Sequence, residues 1–265
     1  MSDEDLYSSS GDRTPLYDES GQLALIVTLT DDLRSGRPCA DGAWRPRGVA
    51  AADAGRLAQE ALRGYALATS DRELVECLIR DGADLLRSTH TMSHDLAGIE
   101  MLRSGASEEL RTHRLTRPQL LRHAARIGTL MVTAYPPGHP DHRFTTVEHA
   151  VRSLHLVAED EVLGPFLDVS QVAVLDHTVV GAALVVNRSG TAPDGGPWVL
   201  DIFRDPTSPA KGVGRALLLA VLTAARQAGL TSLALVVSTS NVNAVGLYQS
   251  LGFVKHEQSW TLALP

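Results

Sequence analysis

The stretch WVLDIFRDPTSPAKGVGRALLLAVLTAA, residues 198–225, decides the fold of this chain. Its first part is an apolar segment that predicts a buried strand over residues 198–203. A short loop with two prolines follows, and an apolar helical pattern then runs over residues 211–228 and ends at Gly229. A strand, a loop and a helix in this order predict an α/β domain.

The start of this helix contains the residues of an anion-binding site. Gly212 and Gly214 lack a Cβ, so a ligand can approach the backbone closely. The helix dipole contributes about half a positive charge at this end, and Lys211 and Arg215 add full charges. A pyrophosphate would fit such a site. The pattern matches neither a P-loop nor a dinucleotide fingerprint, whose third glycine would fall at Leu217, so a closely packed helix cap is the alternative.

A second motif, NVNAVGLYQSLGF over residues 241–253, follows this helix and one more predicted strand. Together the two motifs resemble the GNAT superfamily of N-acetyltransferases, and the resemblance covers roughly residues 111–265. The predicted order from residue 111, β-α-α-β-β-β-α-β-α-β, agrees with the GNAT acyl-CoA acyltransferase fold, and the resemblance thus implies an α/β fold with a mixed (α+β) sheet. The matching positions are Gly212, Gly214, Asn241, Ala244, Tyr248, Gly252 and Phe253.

The resemblance implies direct transfer of an acetyl group from acetyl-CoA to a primary amine within a ternary complex. It implies that the two strands over residues 198–203 and 232–237 part to admit the acyl-CoA. Backbone N–H groups near Phe203 would polarise the thioester carbonyl, and Asn241 would bind the pantetheine arm. The implied pyrophosphate-binding residues are Lys211, Gly212, Val213, Gly214, Arg215 and Ala216.

Two residues are candidates for proton transfer. The resemblance places Tyr248 as the general acid for the departing thiolate, and a core aromatic on an amphipathic helix is the alternative. An ammonium group must lose a proton before it can attack, and Asp201 is the predicted base. For Asp201 the alternative is an ordinary polar strand residue, with a water chain carrying the proton to solvent.

Two positions depart from the family pattern. Pro209 stands where the family has Gln or Arg, which removes one donor to the phosphates, although Lys211 can compensate. Arg204 stands where the strand usually ends in an apolar residue. A catalytically degenerate module that binds or senses acyl-CoA is therefore the alternative function.

Three regions are predicted along the chain. Residues 1–21 are polar and predict a mobile tail. Residues 22–95 predict a degenerate GNAT-like half-domain, in which residues 34–48 form a loop because they contain Gly, Pro and Arg. Residues 96–265 form the predicted N-acetyltransferase domain.

The half-domain prediction depends on an internal repeat. ATSDRELVECLIRDGA, residues 68–83, aligns with STSNVNAVGLYQSLGF, residues 238–253, at an offset of 170 residues. Leu78 stands where the second copy has Tyr248, so the first copy would have lost its chemistry. The alternative is that any capped helix ending in glycine gives this pattern.

Composition limits the remaining function classes. The 265 residues carry a formal charge of −7 and no basic patch, which argues against nucleic acid as a partner. The two cysteines give neither a disulfide framework nor a zinc spacing. No signal peptide or bilayer-spanning apolar run is present, so a cytoplasmic protein without membrane contact is expected.

The ten histidines do not predict a metal site. His90 and His94 have an i, i+4 spacing but lack the HExxH pattern, and the histidines at 139 and 142 lie in a polar loop with Asp141. We therefore expect no metal. The expected partner is a small-molecule or protein amine, and a homodimer is possible because dimers are common in the family.

Overall fold

The computed structural model describes residues 13–32, 37–98 and 109–265. These residues form two compact units, and the last nine residues of the chain belong to the first unit. Among the described residues, the first unit comprises 13–32, 37–90, 238–240 and 257–265, and the second comprises 91–98, 109–237 and 241–256. The C-terminal segment thus returns to the first unit, and the predicted division into a half-domain and an N-acetyltransferase domain stays a prediction.

The first unit combines a sheet with two helices. Its strands are β1 (Arg13–Tyr17), β2 (Leu23–Asp32), β3 (Arg37–Trp44) and β4 (Ala66–Thr69), and its helices are α1 (Ala51–Ala61) and α2 (Arg72–Arg80). Strand β5 (Asp84–Asp95) leads into the second unit. β4 pairs with the end of the last strand, β11 (Val254–Ala263), so that Leu67 lies opposite Leu262 in an antiparallel ladder. The C-terminus thus completes the sheet of the first unit.

Two strands of the first unit differ from the prediction. Residues 13–17, within the predicted tail, pair antiparallel with β2 as an edge strand that contains Pro15. Residues 37–44, within the predicted loop, form β3, in which Cys39 and Ala40 are buried. Pairing with neighbouring strands outweighs the low strand propensity of their Pro and Gly residues, and Pro is tolerated at a sheet edge. Residues 1–12 lie outside the described residues.

The second unit contains the predicted succession of strands and helices. Its elements are β6 (Arg111–Arg114), α3 (Arg117–Ala134), α4 (Val147–Ala158), β7 (Gln171–Leu175), β8 (Thr178–Arg188), β9 (Gly196–Arg204), α5 (Val213–Gln227), β10 (Ser232–Ser238) and α6 (Val242–Ser250). The strands lie in the order β10-β9-β8-β7-β6, and all neighbours are antiparallel except β9 and β10. The predicted α/β fold class with a mixed sheet is confirmed.

Helix α5 is the centre of the core of the second unit. Leu217, Leu218 and Val221 of this helix are buried together with Ala183 and Val185 of β8. Burial of large aliphatic side chains contributes roughly 1.5–3 kcal/mol for each residue. This core fixes α5 against the sheet, and the start of the helix is held with it. No helix among the described residues is both long and apolar enough to cross a bilayer.

Helices α2 and α6 occupy corresponding positions in the two copies of the sequence repeat, and their N-termini are capped in the same way. Their bounds differ by the same offset of 170 residues at both ends. Asp71 caps α2 by accepting from the N–H of Leu74, and Asn241 caps α6 by accepting from the N–H of Ala244. The correspondence agrees with the internal repeat, which stays a prediction.

Candidate active site

Strands β9 and β10 diverge soon after they meet. Their parallel ladder contains the pair Trp198–Ala234, and among the described residues no further pair follows toward Arg204. On its other side β9 pairs with β8 as far as Arg204, with a register shift just before Asp201. The end of β9 therefore has backbone polar groups on the β10 side outside the ladder, and a ligand can satisfy them.

The loop after β9 ends at a glycine with a left-handed backbone. Gly212 has φ 74° and caps α5 with its carbonyl, which accepts from the N–H of Ala216 at 2.9 Å. Gly212 and Lys211 are both exposed. The first N–H groups of a helix have no partner within the helix, so this exposed end can bind an anion.

Gly214 and Arg215 connect the start of α5 with α6. A Cβ at Gly214 would lie 3.4 Å from Cδ2 of Leu247, which is an ordinary van der Waals contact. Arg215 Nη1 donates to Ser250 Oγ at 3.1 Å. The predicted anion-binding residues therefore lie together beside α6, and Pro209, the departure from the family pattern, is exposed in the preceding loop.

Asp205, which is not among the predicted site residues, fixes the loop that precedes α5. Its Oδ1 accepts from the N–H of Thr207 at 2.9 Å and from the hydroxyl of Thr207 at 2.6 Å. Arg126 on α3 donates to Asp205 Oδ2 at 2.9 Å and to the carbonyl of Val179 at 2.9 Å. The Thr207 hydroxyl lowers the pKa of Asp205 most, against the effect of burial. An Asp followed by Pro and Thr was the local signal for this turn.

Tyr248 lies on α6 with only 6% of its surface exposed. Its ring centroid is 5.8 Å from that of Phe253. Burial raises the pKa of Tyr248 well above its usual value, and the negative charges of Asp201 and then Asp141 raise it further. The phenol therefore keeps its proton at neutral pH, which is the state that a proton donor requires.

Asp201 is buried in an ion pair. Its side chain is 5% exposed, and Oδ2 accepts from Arg143 Nη2, whose side chain is 14% exposed. The hydroxyl of Tyr135 lies 2.7 Å from Asp201 Oδ1 and 2.9 Å from the carbonyl oxygen of Ile202. Burial, followed by the charge of Asp201, raises the pKa of Tyr135 well above its usual value. Both carboxylate oxygens thus accept hydrogen bonds from the protein.

Both polar atoms of the Asn241 side-chain amide make hydrogen bonds within the protein. Oδ1 accepts from the N–H of Ala244 at 3.2 Å and so caps α6. Nδ2 donates to Asp141 Oδ2 at 3.2 Å. The amide predicted to bind pantetheine is therefore held at the start of α6, and its Nδ2 donor is directed at the carboxylate of Asp141.

The segment PPGHPDHRF, residues 136–144, links these contacts, and we call it the 136–144 loop. His139 Nδ1 accepts from the N–H of Asp141 at 3.0 Å, and His142 Nδ1 donates to the carbonyl of Tyr135 at 2.6 Å. Through Arg143 the loop contacts β9, and through Asp141 it contacts the start of α6. The part of the chain that the structure describes contains no cluster of three metal-ligating side chains.

The predicted site residues thus lie in two connected places. The predicted anion-binding residues lie where α5 begins, whereas Tyr248, Asn241 and Asp201 all lie near the 136–144 loop. Tyr135, Asp141 and Arg143 complete this arrangement and were not selected as catalytic or binding residues. The only signal for them was their position in or beside the polar loop between two predicted helices.

Residues 124–253 match the model of the acetyltransferase (GNAT) family. A mycothiol acetyltransferase from Renibacterium salmoninarum is 40% identical over 60 residues, which is 23% of this chain and 18% of that protein. The chain thus spans less than a fifth of the curated relative that it matches.

Solved structures resemble a larger part of the chain. A GCN5-related N-acetyltransferase from Sphaerobacter thermophilus has a TM-score of 0.64 at 15% identity and covers 94% of this chain and 78% of its own. A tandem GNAT protein from the clavulanic acid biosynthesis pathway has a TM-score of 0.56 at 15% identity and covers 94% of this chain and 81% of its own. At these identities the likeness concerns the fold.

Proposed function

We propose, on the premise that residues 124–253 belong to the acetyltransferase (GNAT) family, that this protein moves an acetyl group from acetyl-CoA to a primary amine. The observation that carries the proposal is the arrangement around the diverging strands. An exposed anion-binding helix start at Gly212 follows the end of β9, and a protonated tyrosine lies on the helix after β10.

The residues around α5 fit an acyl-CoA. The backbone from Lys211 to Ala216 would bind the pyrophosphate, because the helix start is exposed and Gly212 has the left-handed backbone that glycine favours. Backbone N–H groups near Phe203 would polarise the thioester carbonyl in an oxyanion-hole role. Asn241 would bind the pantetheine arm with its amide, once Nδ2 turns from Asp141.

The proposed reaction is a direct attack. The amine nitrogen forms a bond to the thioester carbonyl carbon, the carbon–sulfur bond breaks, and the thiolate takes a proton. Tyr248 is the proposed donor of that proton, because burial and two carboxylates keep its phenol protonated until negative charge develops on sulfur.

The amine arrives mostly as ammonium and must give up a proton. Asp201 is the base that the sequence predicts, and this role stays a proposal. Its carboxylate accepts hydrogen bonds from Tyr135 and Arg143, so direct contact with an amine would require Arg143 to move away. Buried ion pairs resist such separation, because a single charge would remain without its partner.

A module that binds acyl-CoA without turnover is the second candidate function. Two observations favour it: Pro209 replaces a phosphate donor, and the Asn241 amide is directed at Asp141. Under the enzyme function the proposed acceptor is a small-molecule or protein amine, whereas the module has no acceptor. A cytoplasmic location and a homodimer stay proposals, and analytical ultracentrifugation tests the latter.

Calorimetric titration of acetyl-CoA into wild type and Gly214→Glu tests the proposal first. The substitution places a carboxylate where the phosphates would lie, so binding is expected in wild type and lost in the variant. Gln227→Glu adds the same charge at the exposed far end of α5 and serves as the matched control, with unchanged binding expected.

Turnover then separates the two candidate functions. Wild type that acetylates an amine, with a large loss of kcat in Tyr248→Phe, supports the enzyme. Binding with only slow hydrolysis of acetyl-CoA, unaffected by Tyr248→Phe, supports the module. Absence of binding in wild type refutes both.

A further inference from the structure

Arg204, the last residue of β9, lies on the face of the sheet that α5 covers. It pairs with Gly181 of β8, and residues directly opposite one another in a ladder project to the same face. A Cβ at Gly181 would lie 3.0 Å from Cγ1 of Val213 and 3.2 Å from Cδ1 of Leu217, both on α5. The side chain of Arg204 therefore leaves the sheet beside the first turn of α5.

The other residues at the end of β9 agree with this direction. Asp201 accepts a hydrogen bond from Tyr135, and the ring of Phe203 lies 6.3 Å from that of Tyr135, centroid to centroid. Ile202, between them, packs against the core that contains α5. Because successive side chains of a strand alternate between the two faces, Arg204 shares the face of Ile202.

The guanidinium of Arg204 is exposed and is held by one hydrogen bond. Its Nη1 donates to the carbonyl oxygen of Asp205 at 3.1 Å, where the loop that leads to Gly212 begins. The carboxylate of Asp205 has other partners, because Oδ1 accepts from Thr207 and Oδ2 from Arg126. Arginine has five N–H donors, and in the described part of the chain this group uses one of them. Its charge and its remaining donors can therefore serve a ligand.

The loop before α5 supplies few such donors itself. Pro209 has neither a side-chain donor nor a backbone N–H. Arg215 donates through Nη1 to Ser250 Oγ at 3.1 Å, which directs it toward α6. Lys211 is exposed and contributes one positive charge. A pyrophosphate diester carries two negative charges, so a second exposed cation beside the start of α5 matches its charge, and the planar guanidinium can bind two phosphate oxygens at once.

We propose that Arg204 binds the pyrophosphate of acyl-CoA and replaces the donor that is missing at Pro209. This inference rests on the proposed function. The two positions at which the chain departs from the family pattern then form one compensated change, in which the guanidinium has moved from the loop to the end of β9. The carbonyl of Asp205 orients this guanidinium, and the phosphate oxygens accept from its remaining N–H groups.

Calorimetric titration of CoA into wild type, Arg204→Met and Arg204→Lys tests the assignment. Methionine keeps an unbranched stem but removes the charge and the donors, so the affinity for CoA should fall about 10-fold or more. Lysine keeps the charge without the planar fork and should recover part of this loss. Arg122→Met removes the same charge from an exposed position of α3 and is the matched control, with unchanged affinity expected. The Tm of each variant shows whether the fold is retained.

Two further measurements identify the group that Arg204 binds. 3′-Dephospho-CoA lacks the ribose phosphate but keeps the pyrophosphate, so Arg204→Met should weaken its binding by the same factor as that of CoA. A loss that disappears with 3′-dephospho-CoA overturns the assignment to the pyrophosphate. The affinity of wild type should also fall more steeply with added salt than that of Arg204→Met, because salt screens an exposed ion pair.

Pro209→Arg in the Arg204→Met background tests the compensation directly. It returns a guanidinium to the loop, so the affinity for CoA should rise again above that of Arg204→Met. Affinity that stays at the level of Arg204→Met refutes the idea that the two positions share one role.

The outcomes separate this inference from the proposed function. Equal affinity of Arg204→Met and wild type for CoA overturns the role of Arg204 while the proposed function stands. A lower affinity with the salt dependence of wild type also overturns it, because a purely structural effect through the Asp205 carbonyl would give that result. Wild type that does not bind CoA refutes the proposed function, and the phosphate contact with it.

Discussion

Gly181 on β8 packs against the end of β9 and the start of α5, the two elements proposed to hold the acyl-CoA. Gly181→Ala tests whether this packing is rigid. A Cβ at this position would lie 2.8 Å from the carbonyl oxygen of Phe203, 3.0 Å from Val213 Cγ1 and 3.2 Å from Leu217 Cδ1. The closest of these atoms belongs to the backbone of β9, so it cannot rotate away. An ordinary carbon–oxygen contact is about 3.3–3.6 Å, so β9 must move by about 0.5 Å or more.

Overpacking of this kind costs about 1–3 kcal/mol of unfolding free energy. For a chain of this size each kcal/mol lowers Tm by about 2–4 °C, so a decrease of roughly 2–12 °C is expected. The same methyl group pushes on Phe203 and on the first residue of α5. The affinity for acetyl-CoA should therefore fall together with Tm.

Gly55→Ala on α1, away from the proposed acyl-CoA residues, is the matched control, because its Cβ would meet nothing closer than Cys77 Cβ at 3.6 Å. Its Tm is expected to stay within about 2 °C of wild type or to rise, since alanine favours a helix over glycine by up to about 1 kcal/mol. Differential scanning calorimetry and acetyl-CoA titration measure both quantities. A Gly181→Ala variant with wild-type Tm and affinity would refute the rigid-packing argument.

Three further predictions concern stability. Because folding lowers the pKa of Asp205, its carboxylate stabilises the fold at pH values above the pKa of the unfolded chain, and this stabilisation is lost as pH falls through the lower pKa of the folded state. Asp205→Asn should therefore lower Tm at pH 7, and the difference from wild type should shrink below about pH 4. Measuring Tm from pH 7 to pH 3 tests this. Tyr135→Phe removes a hydrogen bond to a buried carboxylate and should lower the free energy of unfolding in urea by about 1.5–3 kcal/mol. Tyr17→Phe, at an exposed position, should leave it unchanged, and equal values for the two variants would contradict the assigned bond. Leu262→Ala, at a fully buried position of β11, should lower the free energy of unfolding by about 2–5 kcal/mol and increase amide hydrogen exchange in the first unit. Exchange that increases first in the second unit would contradict the assignment of this strand to the first unit.

The sequence predicted the elements whose signals are local. Helix α6 is marked by its Asn241 cap and by Gly252 after its end, and both are observed. Strand β3 was missed because Pro38 and Gly42 give it the composition of a loop, and its strand conformation depends on pairing with β2. Local propensity cannot show such a pairing.

The residues of the candidate site also fall into those that a local motif predicted and those that it did not. Gly212 and Tyr248 were found because each lies in a short motif with a fixed spacing. Arg143 and Asp141 were missed because their partners are distant in sequence: Arg143 meets Asp201 across 58 residues, and Asp141 meets Asn241 across 100. Only the folded chain brings these residues together.

The return of the C-terminal strand to the first unit has a consequence for the order of folding. The ladder in which Thr69 pairs with Trp260 closes a loop that contains most of the chain. During synthesis β4 can pair with β3 early, but its other partner, β11, is made only after the whole second unit, so one edge of β4 lacks its native partner until then. The second unit can form its core beforehand from residues that follow one another along the chain. The first unit is therefore the part of the fold that synthesis completes last.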